Sequence, residues 1–389
     1  MTMRTCIIVG ALCLLAGTAG AQTSLNPDIS LIGDFRTFSH NDPIRDAEME
    51  TFNIADPELE LYISGYLNPY VHADATFAWH TGTNAEVEEI YATVLRGLPL
   101  NLNLRAGKYR LEFGRLNPVH PHAYSFIHQP LPHASFFGDE GLNDVAIRGS
   151  IYLPTGNAFT ELKAGVLKGD ALFGHHHEEE EGESEEEHGH DSEPERNDLG
   201  VFGRLTTSFA VSESGELALG GSIVNSPYAL EENEDTTVTI DPADLTQLRA
   251  TVVGGDFKYK WKPSRYTSLL IDSELLMRID QQPPGEESLT SYGAYGYLDY
   301  RFRQRYNVGG IVEWLRRKEL HESEDPMVEH EVHQSDLTRF GLFVGFAPVE
   351  ETSLLRLAGH WTEPDDGDGF WELTLQMVFS LGPHQPHNF

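Results

Sequence analysis

The feature that most constrains this chain is a repeated alternation of apolar and polar residues, broken by connections that are short and long in turn. In Tyr70–Trp79, Val71, Ala73, Ala75, Phe77 and Trp79 fall on one side and His72, Asp74 and Thr76 on the other. In Leu100–Lys108, Leu100, Leu102, Leu104 and Ala106 oppose Asn101, Asn103, Arg105 and Gly107. In Phe370–Leu381, Trp371, Leu373, Leu375, Met377, Phe379 and Leu381 oppose Glu372, Thr374, Gln376 and Ser380. A period of two means a strand with one face in apolar surroundings and one near water. About sixteen such segments lie between residues 28 and 381.

The connections carry more information than the strands. Short ones (68–69, 97–99, 154–158, 212–214, 262–265, 304–305, 348–351) alternate with long or polar ones (39–57, 109–142, 169–198, 226–248, 280–290, 318–335). Links 81–86 and 363–369 keep the same parity. Short turns at one end and longer loops at the other are the pattern of transmembrane barrels. No later stretch is apolar and long enough for a membrane helix, so a membrane-spanning chain must close into a barrel, which satisfies every backbone group in lipid. The expected fold is all-β: one transmembrane antiparallel β-barrel of about 16 strands, range 14–18, with its long third outer loop folded into the lumen.

That third loop is the stretch 109–142, which includes RLEFGRLNPVHPHAYSFIHQPLPHASFFGDEG (Arg110–Gly141). It has neither the period of a helix nor the alternation of a strand. A run of this length without regular structure is uncommon and usually functional.

The N-terminus, MTMRTCIIVGALCLLAGTAGAQ, reads as a secretory signal peptide over 1–21. It has Arg4, an apolar run from Cys6 to Ala16, and Ala19-Gly20-Ala21 as a small-residue cleavage site. The expected mature chain, 22–389, holds no cysteine, hence no disulfide and no thiolate metal site. A formal net charge of −34 against 27 Lys plus Arg argues against nucleic acid as a partner. It equally opposes charge-driven docking on anionic membrane surfaces. The expected partners are outer-membrane lipid, the barrel assembly machinery, and small ions or solutes; the oligomeric state stays open.

Twelve charged positions expected on the lumen face are Asp74, Arg105, Asp256, Lys258, Lys260, Asp272, Glu274, Arg278, Asp299, Arg301, Arg339 and Arg356. Such a face suggests a water-filled channel, because unpaired buried charge is costly. Tyr292, Tyr295, Tyr297, Tyr300, Phe302 and Tyr306 flank one turn, where an aromatic girdle belongs.

The loop 169–198 contains GHHHEEEEGESEEEHGHDSEPE, with His175, His176, His177, His188 and His190. Imidazoles and carboxylates are ligands for zinc and related divalent ions. The composition equally describes a disordered, solvated acidic segment, so two readings stand: reversible metal capture, or no ligand at all. A second acidic stretch, 319–335, brings His321, His330 and His333 to the same end. Two acidic loops at one mouth would concentrate cations.

The third loop adds His120, His122, His128 and His133, with Asp139 and Glu140 near its end. These read either as ion ligands at a constriction or as histidines hydrogen-bonded to the wall. Arg105, Lys108, Arg110 and Arg115 cluster at the loop's start and could instead attract anions or pair with Glu112 and lumen carboxylates. No cofactor is required, with Zn²⁺ or another divalent cation as ligand or substrate. No G-x-S-x-G elbow, P-loop or H-E-x-x-H motif is present, and nothing points to an enzyme.

Three segments, LNPDISLIGDF (Leu25–Phe35), AGKYRLEFGRLNPVHPH (Ala106–His122) and FFGDEGL (Phe136–Leu142), resemble a group of porin-like outer-membrane proteins of Gram-negative bacteria. The resemblance is strongest over the first third and the tail. Some members carry labels such as zinc-regulated or TonB-dependent outer-membrane receptor. It implies an outer-membrane barrel with a link to divalent metal uptake. The receptor label fits poorly, because such receptors resemble a 22-stranded barrel with a large plug, and no plug-sized segment precedes the first expected strand.

Overall fold

The computed structural model describes residues 27–43, 45, 51–80, 84–170, 172, 199–228, 248–282, 287–322, 330–349 and 352–382. The expected signal peptide and the histidines at 175–177, 188 and 190 lie outside them. So does the tail beyond Gly382.

Sixteen long antiparallel strands close into one barrel. They are β1 (Asp28–His40), β3 (Glu58–Asn68), β4 (Val71–His80), β5 (Glu86–Val94), β6 (Asn103–Arg110), β7 (Asn143–Leu153), β8 (Phe159–Leu167) and β9 (Gly200–Ser212). They continue as β10 (Gly215–Pro227), β11 (Arg249–Ser264), β12 (Thr267–Asp280), β13 (Leu289–Phe302), β14 (Tyr306–Glu322), β15 (His330–Phe346), β16 (Ser353–Pro364) and β17 (Phe370–Leu381). A two-residue strand, β2 (Asn53–Ile54), caps the outer end of β1. Neighbours in sequence are neighbours in the wall, and β1 closes the ring by pairing with β3 on one side and β17 on the other. Closure leaves no open edge, so every ladder group finds a partner.

The wall is apolar outside and polar inside. On β17, Leu373, Leu375 and Met377 are exposed, while Thr374 and Gln376 are buried toward the lumen. On β7, Val145 and Ile147 face out and Arg148 and Ser150 face in. No helix among the described residues could cross a membrane; the strands do the crossing.

The girdle expectation splits by strand parity. Tyr300, Phe302, Tyr306 and Phe346 form an outward ladder at the short-turn end, with ring centroids 6.0, 5.4 and 5.1 Å apart in succession. Tyr295 and Tyr297 instead pack inward, because odd positions of β13 share the lumen face with Asp299. A second correction concerns 318–335. β14 and β15 run on past the expected boundary, so His333 faces Glu319, His330 faces Glu322 and His321 faces Glu331 in the ladder. Beyond the membrane both faces of a hairpin meet water, so the strand continues without the alternation that would reveal it. β6 conversely begins only at Asn103, since Leu100 and Asn101 adopt positive φ in the preceding turn.

The lumen is not the open water column that its charges suggested. Residues 111–142 cross it and bury two apolar clusters. Leu111, Phe113, Phe136 and Phe137 pack on Val224, Ala250, Val252, Leu276 and Leu315. Leu116, Tyr124, Phe126 and Ile127 pack on Tyr295, Ile311, Phe343 and Ala358. Each fully buried Leu, Ile or Phe contributes about 1.5–3 kcal/mol. The loop also holds a short helix, α1 (Leu131–Phe137), entered through Pro130 and Pro132 and ended at Gly138 with φ 73°. Proline fits a first helical turn, where its missing N–H is no loss. Gly293 lets α1 approach the wall: a Cβ there would sit 2.5 Å from Pro132 Cβ.

Candidate functional site

The site is the loop and the wall it touches. Its neck is closed by Leu111 N donating to Leu142 O at 2.9 Å. Asn117 fastens both flanks, its Nδ2 donating to Leu111 O (2.8 Å) and Leu142 O (2.9 Å) while its Oδ1 accepts from Leu142 N. Glu112, at the bend, receives Arg148 at 2.6 Å and Arg105 at 3.3 Å. Burial raises the Glu112 pKa, but the charges of Arg148, Arg105 and Lys163 overcome it and hold this carboxyl below its ordinary value.

A loop without a ladder must satisfy its backbone elsewhere. The wall charges do this. Glu274 Oε1 accepts from the backbone N–H groups of Arg115 and Leu116, and its Oε2 lies 2.9 Å from His133 Nε2. Arg356 donates to Phe126 O and Tyr124 O. Arg339 donates to Gln129 O, and Glu313 accepts from Leu131 N. Arg278 donates to Phe136 O. Ser125 donates to Asp299 at 3.0 Å, and Arg115 lies 2.7 Å from Asp256. The inward charges are therefore mostly anchors for the loop rather than ions in open water.

The four loop histidines divide into pairs. His133 is buried against Glu274, and His128 Nε2 lies 2.9 Å from Glu372 Oε1 and 3.0 Å from Thr374 Oγ1. His120 and His122 converge instead on one carboxylate: each Nδ1 is 3.3 Å from Glu60 Oε2. His120 Nδ1 is also 3.5 Å from Glu88 Oε2, and its Nε2 is 2.9 Å from Glu89 Oε2. Burial lowers the His120 pKa, but the charge of Glu60 against the ring and the hydrogen bond to Glu89 outweigh it and hold the imidazole well above its usual range.

The other expected residues scatter. Arg110 is buried 3.8 Å from Glu88 Oε1. Lys108 Nζ donates to Val87 O at 3.0 Å. Asp139 is exposed and Glu140 half-buried, on the turn leading back to β7 rather than beside the histidines. His333 is exposed at the far end of the β14–β15 hairpin, in a strand that also carries His330.

Between the loop and the short-turn end lies a cavity of about 440 Å³. Arg115, Lys163, Arg204, Lys258 and Lys260 line it, against Glu112, Glu216 and Asp272.

Sequence reasoning overlooked Glu60, Glu88, Glu89, Arg148 and Glu313. For Glu88 and Glu89 a signal existed. Val87 and Ile90 both face outward, three residues apart, which simple alternation forbids. The ladder shifts there: Thr76 pairs with Glu89 but Phe77 with Val87, leaving Glu88 as the extra residue of a bulge. The bulge turns two adjacent carboxylates toward the lumen.

No family model matches the chain. An uncharacterized protein of Aquifex aeolicus (strain VF5) is 28% identical over 418 residues, covering 95% of this chain and 81% of that protein. In-vitro folded OmpT, an outer membrane protein of Vibrio cholerae, superposes with a TM-score of 0.55 at 9% identity, over 93% of this chain and 100% of that one. The anion-selective porin from Comamonas acidovorans does so with a TM-score of 0.53 at 7% identity, over 92% and 100%. The outer membrane channel DcaP of Acinetobacter baumannii gives 0.51 at 11% identity, over 92% and 96%. What is shared at these identities is the barrel fold.

Proposed function

We propose that this chain is a porin-like channel of the bacterial outer membrane, passing small hydrophilic solutes passively and linked to divalent cations such as zinc. One observation supports it above the others. A closed wall with an apolar outer face encloses an ionic lumen, and an inward loop narrows that lumen while leaving a charged cavity of about 440 Å³ below it. An ionic interior suits hydrated solutes, and a loop fixed by ion pairs on many strands suits a filter of constant width. Likeness in fold to outer-membrane porins and channels agrees with this reading.

The divalent part rests on charge. The chain carries −34, and the β14–β15 hairpin places Glu319 opposite His333 near its long-loop end. A negative mouth raises the local cation concentration. A second reading, an anion-preferring porin, draws on Lys163, Arg204, Lys258 and Lys260 in the lower cavity. A third is a closed surface barrel that sequesters metal.

The test is single-channel recording of the refolded full chain in a planar bilayer, followed by the reversal potential in a salt gradient. Stable conductance steps with a cation-side potential are expected. An anion-side potential would transfer support to the second reading, and complete absence of conductance would refute the channel.

A further inference from the structure

The structure assigns a zinc-class metal site to the loop–wall junction, formed by His120, His122 and Glu60, with Glu88 beside His120. Its ligands are the Nδ1 atoms of both histidines and Glu60 Oε2. We read its role as a clasp that pins the middle of the loop to β3 and β5. The site does not depend on the channel reading, since a loop can be clasped whether or not anything passes it.

The geometry carries the argument. In a tetrahedral zinc centre with ligands about 2.0–2.2 Å from the metal, neighbouring ligand atoms lie roughly 3.3–3.5 Å apart. Glu60 Oε2 is 3.3 Å from His120 Nδ1 and 3.3 Å from His122 Nδ1. Glu88 Oε2 is 3.5 Å from His120 Nδ1. The Glu60, His120 and His122 ligand atoms all lie within 4.8 Å of one another. Three ligand atoms of a zinc shell are thus gathered before any ion arrives.

The ligand atoms are also poorly satisfied without one. Glu60 Oε2, Glu88 Oε2 and His120 Nδ1 are buried and, beyond their ion-pair contacts within the cluster, take part in no hydrogen bond. Glu60 is 4% exposed, so water does not compensate. Buried polar atoms normally have partners, and a group of three converging on one point calls for an explanation.

The groups behind these atoms fit the same purpose. His120 Nε2 faces Glu89 Oε2 at 2.9 Å, the carboxylate–histidine arrangement that fixes the ring and leaves Nδ1 for a metal. Arg110 lies by Glu88 Oε1, at 3.8 Å, which leaves Oε2 aimed at the site. Three carboxylates (Glu60, Glu88, Glu89) gather around one guanidinium and two imidazoles, an acid-rich cluster that suits a divalent cation.

The backbone is suited to the task. Pro121 separates the two histidines and opens a short 3₁₀ turn, with His120 extended before it. That H-P-H unit sets the imidazole rings 5.8 Å apart at 31°, so both reach the same oxygen. The bulge at Glu88 places a second carboxylate beside His120. Two imidazoles with one carboxylate select zinc, cobalt or nickel rather than magnesium or calcium.

The test uses the refolded full chain with His175, His176, His177, His188 and His190 replaced by Ser, which removes competing histidines. Zinc titration should give one tight equivalent per chain, and cobalt should give the intense visible band of a four-coordinate site. His122→Ala and the isosteric Glu60→Gln should each abolish that equivalent, whereas His333→Ala should leave it. Glu89→Gln should weaken binding about 10–100-fold by freeing the His120 ring. Barrel formation is checked for each variant by its heat-dependent gel mobility. A folded background protein that binds no zinc overturns the assignment, as does binding that survives both His122→Ala and Glu60→Gln. Conductance of the same samples separates the two readings. A conducting protein without the zinc equivalent overturns only the clasp, and a silent protein that retains it overturns only the channel.

Discussion

The loop's attachment to the wall makes Glu274→Ala the sharpest test of the architecture. Glu274 sits at the centre of the lumen wall, 1% exposed, and accepts from Arg115 N, Leu116 N and the His133 ring. Truncation leaves two backbone donors and one imidazole buried without their acceptor. Each of these three orphaned groups costs about 1–3 kcal/mol when left without an acceptor. Taking about 3–5 kcal/mol as the total, the docked-to-released ratio of the loop falls roughly a hundredfold to several thousandfold. The barrel itself is spared, because β12 holds its ladder through backbone pairs such as Asp256 with Glu274 and Glu274 with Tyr295. The assay is limited trypsin digestion of the folded protein. Arg115, now held 2.7 Å from Asp256, becomes a cleavage site, and single-channel conductance rises as the lumen widens. Glu274→Gln, which keeps one acceptor oxygen, should fall between wild type and Glu274→Ala. Unchanged digestion and conductance in a properly folded Glu274→Ala barrel would refute the view that wall charges hold the loop.

Gly114→Ala should loosen the loop from the other side: φ is +58° and the new Cβ would collide with Glu274 Oε2. The backbone strain alone costs about 1–3 kcal/mol, read as faster cleavage at Arg115. Glu112→Gln tests the neck. The folded pKa of Glu112 is depressed, so its contribution is present above the ordinary value of about 4.3 and lost as pH falls through the folded value. The stability gap between wild type and Glu112→Gln in detergent should shrink from pH 7 to pH 3, and a constant gap would contradict the ion pairing. Lys258→Glu with Lys260→Glu reverses two charges in the lower cavity and should move the reversal potential toward cations; no movement would mean that permeating ions bypass it.

The sequence by itself determined the barrel. Alternation along each strand is a local property, set by which solvent each face meets, and β4, β7 and β17 show it residue by residue. The parity of short and long connections followed, as did the place of the inward loop. Where one solvent surrounds both faces, alternation vanishes, which is why the outer reach of β14 and β15 went unread. Tertiary structure alone decided what the inward charges do. Glu274, Arg356 and Arg339 look like pore-lining ions in one dimension, and only the loop's path turns them into acceptors and donors for its backbone. It alone decided, too, that His120 and His122 meet Glu60 while His128 and His133 go elsewhere. Glu60 precedes His120 by 60 residues, and no local pattern links them. The physical reason is that alternation reports the medium on each face, whereas partners across a lumen are chosen by closure of the wall and the path of the loop.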